Sequence, residues 1–183
     1  VGIDFSGKDL SDVNFYGSDL TGQDFTNNVN IFATKFQSVD LTNANFEGTD
    51  LFTDKVFTTV FKNKAHLKIL SDDEITNDIF GENQQILIFS TEVHGNDLTV
   101  EYVVYTTFEN ANLENANFKN ADLKFVNFYQ ADLTNADLSG ADLRKAFLAN
   151  ADLSNANLDS AILDGAILSN ANLKCKNHPI CNN

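Results

Sequence analysis

Apolar residues recur every fifth position along most of this chain. From residue 106 onward the pattern is unbroken: Leu or Phe stands at 108, 113, 118, 123, 128, 133, 138, 143, 148, 153, 158, 163, 168 and 173. Ala lies two residues before the centre in twelve of these fourteen units, with Thr106 and Val126 in the other two. The same period runs through the N-terminal part, with centres at Phe5, Leu10, Phe15, Leu20 and Phe25. One extra residue near Asn27 and Asn28 shifts the frame, and the centres continue at Ile31, Phe36, Leu41, Phe46, Leu51, Val56 and Phe61. A period of five fits neither the 3.6 of an amphipathic helix nor the 2.0 of a strand. Two inward residues per five, the centre and the residue two before it, suit a short extended step followed by a corner. Four steps close a coil of about twenty residues, which stacks on the next at roughly the 4.8 Å spacing of neighbouring strands. Asp or Asn beside the centre suits the corners, because a short polar side chain bonds nearby backbone.

Units such as Ala131-Asp132-Leu133-Thr134-Asn135 and Ala151-Asp152-Leu153-Ser154-Asn155 resemble the pentapeptide-repeat family, whose consensus is A-(D/N)-L-x-x. The resemblance implies an all-β fold, a right-handed quadrilateral β-helix. The repeats divide into a first block at 3–63, about three coils, and a second at 106–175, about three and a half. Together they predict about 6.5 coils and a length of roughly 31 Å at the strand spacing. The first block departs from the consensus: its positions two before the centre include Lys8, Gln23, Thr34 and Asp54, with Ala only at Ala44. An inward charge, sealed and unpaired, costs several kcal/mol. Lys8 is therefore expected to escape at the open first coil, and Asp54 to mark a distorted coil before the insertion.

Residues 64–105 lose the period and form an insertion that loops out. Ser71-Asp72-Asp73-Glu74 is a capping-box pattern and Gly81 a stop signal, predicting a short helix over about 72–80. The β-branched stretches Gln85–Val93 and Leu98–Tyr105, separated by His94-Gly95-Asn96-Asp97, predict a β-hairpin. Phe fills odd-numbered units on both sides of the insertion, and Phe61 and Val56 break that rule beside it. In a four-sided coil odd units occupy opposite faces, so the preserved parity favours one continuous helix over two independent ones. Phe80 and Tyr102 in the insertion are candidates for partner contact, although packing is the commoner fate of such aromatics.

A C-terminal capping tail, 176–183, follows the last unit. A repeat stack must cover its final coil, and Cys175 and Cys181, the only cysteines, can pin the tail as a disulfide lid. The alternative is two free thiols. Cys175, His178 and Cys181 also have C-x-x-H-x-x-C spacing, but a structural zinc wants four ligands and no fourth is near in sequence. No metal and no cofactor is expected. Phe147 and Ile167 replace the Asp or Asn before the centre on one face, as Ile162 does on the adjoining face. The tail is expected to cover them, and a contact patch for a partner is the other reading.

Composition narrows the function classes. The chain has 183 residues, a net charge of -14 and no Met. The acid excess disfavours direct binding to nucleic acid or anionic membranes, and no apolar run approaches the length of a membrane span. Absence of Met points to a removed leader or a trimmed N-terminus. No phosphate loop, nucleophile elbow or metal motif appears, so the chain reads as no enzyme. Stacked pairs such as Asp132 and Asp152, or Asp122 and Asp142, are expected to raise one another's pKa. The family resemblance, with the cysteine pair, implies an exported scaffold of periplasm or thylakoid lumen that works by protein contact as a monomer or weak dimer. Some relatives are acidic rods that bind DNA gyrase in place of DNA, and that is the competing function.

Overall fold

The computed structural model describes residues 4–5, 7–26, 28, 30–31, 33–52, 57–64 and 86–182. The chain forms two compact units, Val1–Phe52 with Thr106–Asn183, and Thr53–Tyr105.

The first unit is a stack of four-sided coils. Its extended steps are single parallel bridges at the Asp or Asn of each repeat: Asn112 to Asp132 to Asp152 to Asn172, and Asn117 to Asp137 to Asn157, for example. Partners are twenty residues apart in the second block and twenty-one apart at Asp9–Asn30, Asn14–Lys35, Asp19–Asp40 and Asp24–Asn45. The larger step absorbs the extra residue near Asn28. Across the insertion the ladders continue without a change of face, through Lys35–Thr107, Asp40–Asn112, Asn45–Asn117 and Asp50–Asp122.

Local chemistry explains why five residues make one side. The amide two before each centre donates to the preceding centre's carbonyl, as Ala116 does to Leu113 at 3.0 Å, closing a turn. The outward Asp or Asn accepts the amide two residues on: Thr134 N donates to Asp132 Oδ1 at 3.0 Å and Tyr129 N to Asn127 Oδ1 at 2.9 Å. The second residue after the centre then turns left-handed, at φ near 56–59° for Asn110, Asn115, Asn120 and Asn135 and 67° for Gly140. Asn and Gly recur there because they tolerate that region.

Side chains at the centres and two before them fill the coil. Phe5, Phe25, Phe46 and Phe118 form one stacked column, with centroid spacings of 5.6, 4.5 and 4.9 Å. Phe15, Phe36, Phe108 and Phe128 form the opposite column at 5.3, 4.9 and 5.1 Å. Rings of the two columns meet edge-on, as in Phe46 against Phe108 at 5.4 Å and 86°. Buried threonines at inward positions are satisfied within the core. The buried Thr34 hydroxyl lies 2.6 Å from Ile31 O and 2.9 Å from Leu10 O, and the Thr106 hydroxyl donates to Leu51 O at 2.9 Å. Lys8 is exposed at the first coil.

The second unit contains an antiparallel sheet of β1 (Phe57–Phe61), β2 (Ile86–His94) and β3 (Asp97–Val104) in the order β1-β3-β2. β2 and β3 are the expected hairpin, closed by a two-residue turn with Gly95 at φ 65°. A register shift between Ile88 and Ser90 makes a bulge. Ile88, Leu98 and Val100 are buried together, with Phe61, Ile86 and Tyr102 packed against them. β1 departs from the sequence expectation, in which Phe61 is a repeat centre. Phe57–Phe61 instead pairs with β3 from Phe57–Tyr102 to Phe61–Leu98, and among the described residues the last ladder position of the first half is Asp50. Thr58, Thr59 and Val60 favour an extended strand with alternating faces, and the broken Phe parity at Val56 and Phe61 was the sign. The helix expected over 72–80, together with Asp54 and Phe80, lies outside the described residues.

Candidate interaction surface

Of the outward positions, those without a carboxylate mark where this surface departs from its own pattern. One ladder runs Asn14, Lys35, Thr107, Asn127, Phe147, Ile167. The next face runs Asp19, Asp40, Asn112, Asp132, Asp152, Asn172. The first face is thus free of Asp along its whole length. The corner after it carries Tyr16, Gln37, Glu109, Tyr129, Ala149 and Ser169, whose stacking is fixed by amides such as Gln130 N to Ala149 O at 3.1 Å. Tyr16 is 68% exposed and Tyr129 38%. Neither was singled out from the sequence, although reading every fourth unit as one face would have isolated them.

At the C-terminal end Phe147 and Ile167 are direct ladder partners, and Ile162 pairs with Asp142 on the adjoining face. Ile162 and Ile167 are each 43% exposed. The expectation that the tail covers them is therefore corrected. Cys175 takes the inward position of the last turn at 2% exposure and is bonded to Cys181. Lys176 pairs with Asn157 only nineteen residues back, and Asn182 N donates to Leu173 O at 2.7 Å. The tail so folded sets Ile180 and Cys181 against the core. It closes over the Leu173 side and leaves the two Ile side chains in solvent. Leu163, Ala166 and Leu168 beneath them are only half-buried, whereas Leu143, Leu148 and Leu153 in the preceding coil are fully covered.

Tyr102 is half-buried in β3 and joins the sheet's own apolar cluster. His178 does not complete a metal site: both thiols are in the disulfide, and its Nδ1 accepts the Ile180 amide at 3.3 Å. Among the described residues no group of three or more His, Cys, Asp or Glu is arranged to hold a metal ion.

The expectation of raised pKa values is corrected at Asp142 and Asp152. Asp132–Asp152 and Asp122–Asp142 do stack, yet Asp152 and Asp142 are held below the ordinary 3.8. Hydrogen bonding by Ser154 is the main cause at Asp152, and hydrogen bonding by Arg144 at Asp142, where Nε donates to both carboxylate oxygens at 2.9 and 3.1 Å. Donors supplied by the turn outweigh the desolvation of these two carboxylates. Beside Asp122 and Asp142 a basic corner interrupts the acidity. Lys124 Nζ lies 2.8 Å from Asp122 and 5.0 Å from the Phe52 ring centroid, Phe52 stacks on Phe125 at 5.2 Å, and Lys145 sits 5.1 Å from Phe125.

Comparison with known proteins agrees with this architecture. The family described as pentapeptide repeats matches in 8 copies over residues 1–27, 105–140 and 136–174, just over half of the chain. This protein belongs to the pentapeptide-repeat family, whose fold is a right-handed β-helix. No curated protein sequence matches it. Among solved structures, it resembles the pentapeptide-repeat protein Rfr23 of the cyanobacterium Cyanothece 51142, with 16% identity over 91% of this chain and 88% of that one, and a TM-score of 0.47. A thylakoid-lumen protein of Arabidopsis thaliana, AT2G44920, is 38% identical over 38% of this chain and 53% of its own, with a TM-score of 0.27. This chain thus spans about half of that relative. QnrB1, a plasmid-mediated fluoroquinolone resistance protein, is 17% identical over 87% of this chain and 69% of its own, with a TM-score of 0.32.

Proposed function

We propose that this protein is a non-enzymatic scaffold that binds a protein partner in an oxidising compartment, periplasm or thylakoid lumen. Its contact surface is the apolar rim of Phe147, Ile162 and Ile167. The observation that carries this reading is the 43% exposure of both Ile162 and Ile167 at ladder positions that elsewhere hold mostly Asp or Asn. Burying the exposed part of each side chain in a partner contributes about 0.6–1.3 kcal/mol, the 43% still in solvent scaled from full burial. The Cys175–Cys181 bridge supports an oxidising location, where such bridges persist. Affinity capture from periplasmic or lumenal extract tests the reading, comparing the intact protein with Ile162→Asp/Ile167→Asp. A specific partner lost from the variant, with an unchanged circular dichroism spectrum, supports it. A partner retained at equal yield sinks it.

The second reading is an acidic rod that binds DNA gyrase or another DNA-binding protein in place of DNA. The face bearing Asp19, Asp40, Asp132 and Asp152 favours it, with Asp19 and Asp152 held below the ordinary 3.8 by hydroxyl hydrogen bonds and so charged at neutral pH. An unchanged supercoiling rate in a large molar excess of this protein disposes of it.

A further inference from the structure

The tail has few holds besides its bridge. Beyond Lys176 the described contacts are Asn182 N to Leu173 O at 2.7 Å, Cys181 N to His178 O at 3.0 Å, Ile180 N to His178 Nδ1 at 3.3 Å and Asn177 Nδ2 to Asn157 Oδ1 at 2.8 Å. Two of these lie within the tail itself, so it is joined to the coil stack by one backbone bond, one side-chain bond, Ile180 and the disulfide. The two sulfurs differ in access. Cys175 is 2% exposed inside the core, whereas Cys181 is only partly covered. Under the tail lie Ala171 and Leu173, already half-exposed at the last coil.

We infer that Cys175–Cys181 is a redox latch: a dithiol reductant opens the tail and uncovers the apolar end of the last coil, while the rest of the stack stays folded. A reductant thiolate attacks the accessible Cys181 Sγ, the S–S bond breaks, and its electron pair leaves on Cys175 Sγ, which takes up a proton in its apolar site. The second thiolate of the reductant then displaces Cys181 Sγ, which is protonated in turn. The reductant ends as its disulfide and the protein as two thiols. Losing a cross-link that closes a ring of about seven residues raises the open population on the order of 50-fold. The ladders of the earlier coils do not pass through the tail, so the response is local. This inference does not depend on the scaffold reading.

The test is amide exchange of the full chain with and without excess dithiothreitol, with iodoacetamide counting the thiols released. Both cysteines are expected to alkylate without global unfolding. Exchange at Cys181 and Asn182 should speed up on the order of 50-fold, while Phe46 and Asn117 keep their rates and an apolar dye gains fluorescence. Cys181→Ala should show the same pattern with no reductant. Two results overturn the latch: a bridge that resists dithiothreitol until the whole chain unfolds, or released thiols with unchanged exchange at Cys181 and Asn182.

Discussion

Phe46 lies in the middle of the two aromatic columns and meets rings of both, which makes it an informative residue to truncate. Its ring is fully buried and touches four others: Phe25 at 4.5 Å and Phe118 at 4.9 Å face to face, Phe36 at 5.8 Å and Phe108 at 5.4 Å edge-on. Phe46→Ala removes the ring from a close-packed site flanked by coils on both sides, so relaxation is limited, and the expected loss is about 4 kcal/mol. Phe46→Leu tests shape separately from aromaticity. Leu138 and Leu158 occupy the same column in later coils and are fully buried, so Leu fits the coil, and the cost should fall to about 1.5 kcal/mol. The decisive quantity is the coupling between Phe46→Leu and Phe118→Leu, since only the stacked pair is removed twice. It should be about 0.5–1.5 kcal/mol. The chain has no Trp, so urea unfolding is best followed by far-ultraviolet circular dichroism, with amide exchange at Phe108 and Asn117 as a local readout. Coupling within error of zero, or a cost below about 1.5 kcal/mol for Phe46→Ala, would refute the argument that these columns act as interacting rings.

Three further outcomes follow from the same geometry. Gly140→Ala places a Cβ 2.3 Å from Asn120 Oδ1 at φ 67°, and should cost about 1–2 kcal/mol in urea unfolding, partly restored by Asn120→Gly in the same chain. Thr106→Val removes the hydroxyl that bonds the buried Leu51 carbonyl and should cost about 1–2 kcal/mol, with faster amide exchange around Leu51 as the local sign. Asp142 and Asp152 have folded pKa values below 3.8, so their stabilisation is present above 3.8 and is lost as pH falls through the lowered values. Asp152→Asn should flatten the decline of stability below pH 3.8, and an unaltered acid profile would show that Ser154 does not hold that carboxylate.

Much of this fold is legible in one dimension because a five-residue unit carries its own instructions. Leu133 and Ala131 point inward, Asp132 binds the amide of Thr134, and Asn135 takes the left-handed turn. Each statement concerns neighbours in sequence, and repetition propagates it. Phe parity even carried the register across the insertion, because Phe36 meets Phe108 and Phe46 meets Phe118 only if the faces stay aligned. The strand Phe57–Phe61 is hidden for the complementary reason: Phe61 falls at the repeat spacing, and only pairing with Leu98–Tyr102 distinguishes it from a repeat centre.

By itself, then, the sequence determined the unit, its inward and outward residues and the four-sided coil. Tertiary structure decided what depends on atoms distant along the chain. It set how far a tail of a few residues reaches, and so left Ile162 and Ile167 in solvent while enclosing Cys175. It decided which face stays free of Asp, since that follows from stacking residues twenty positions apart.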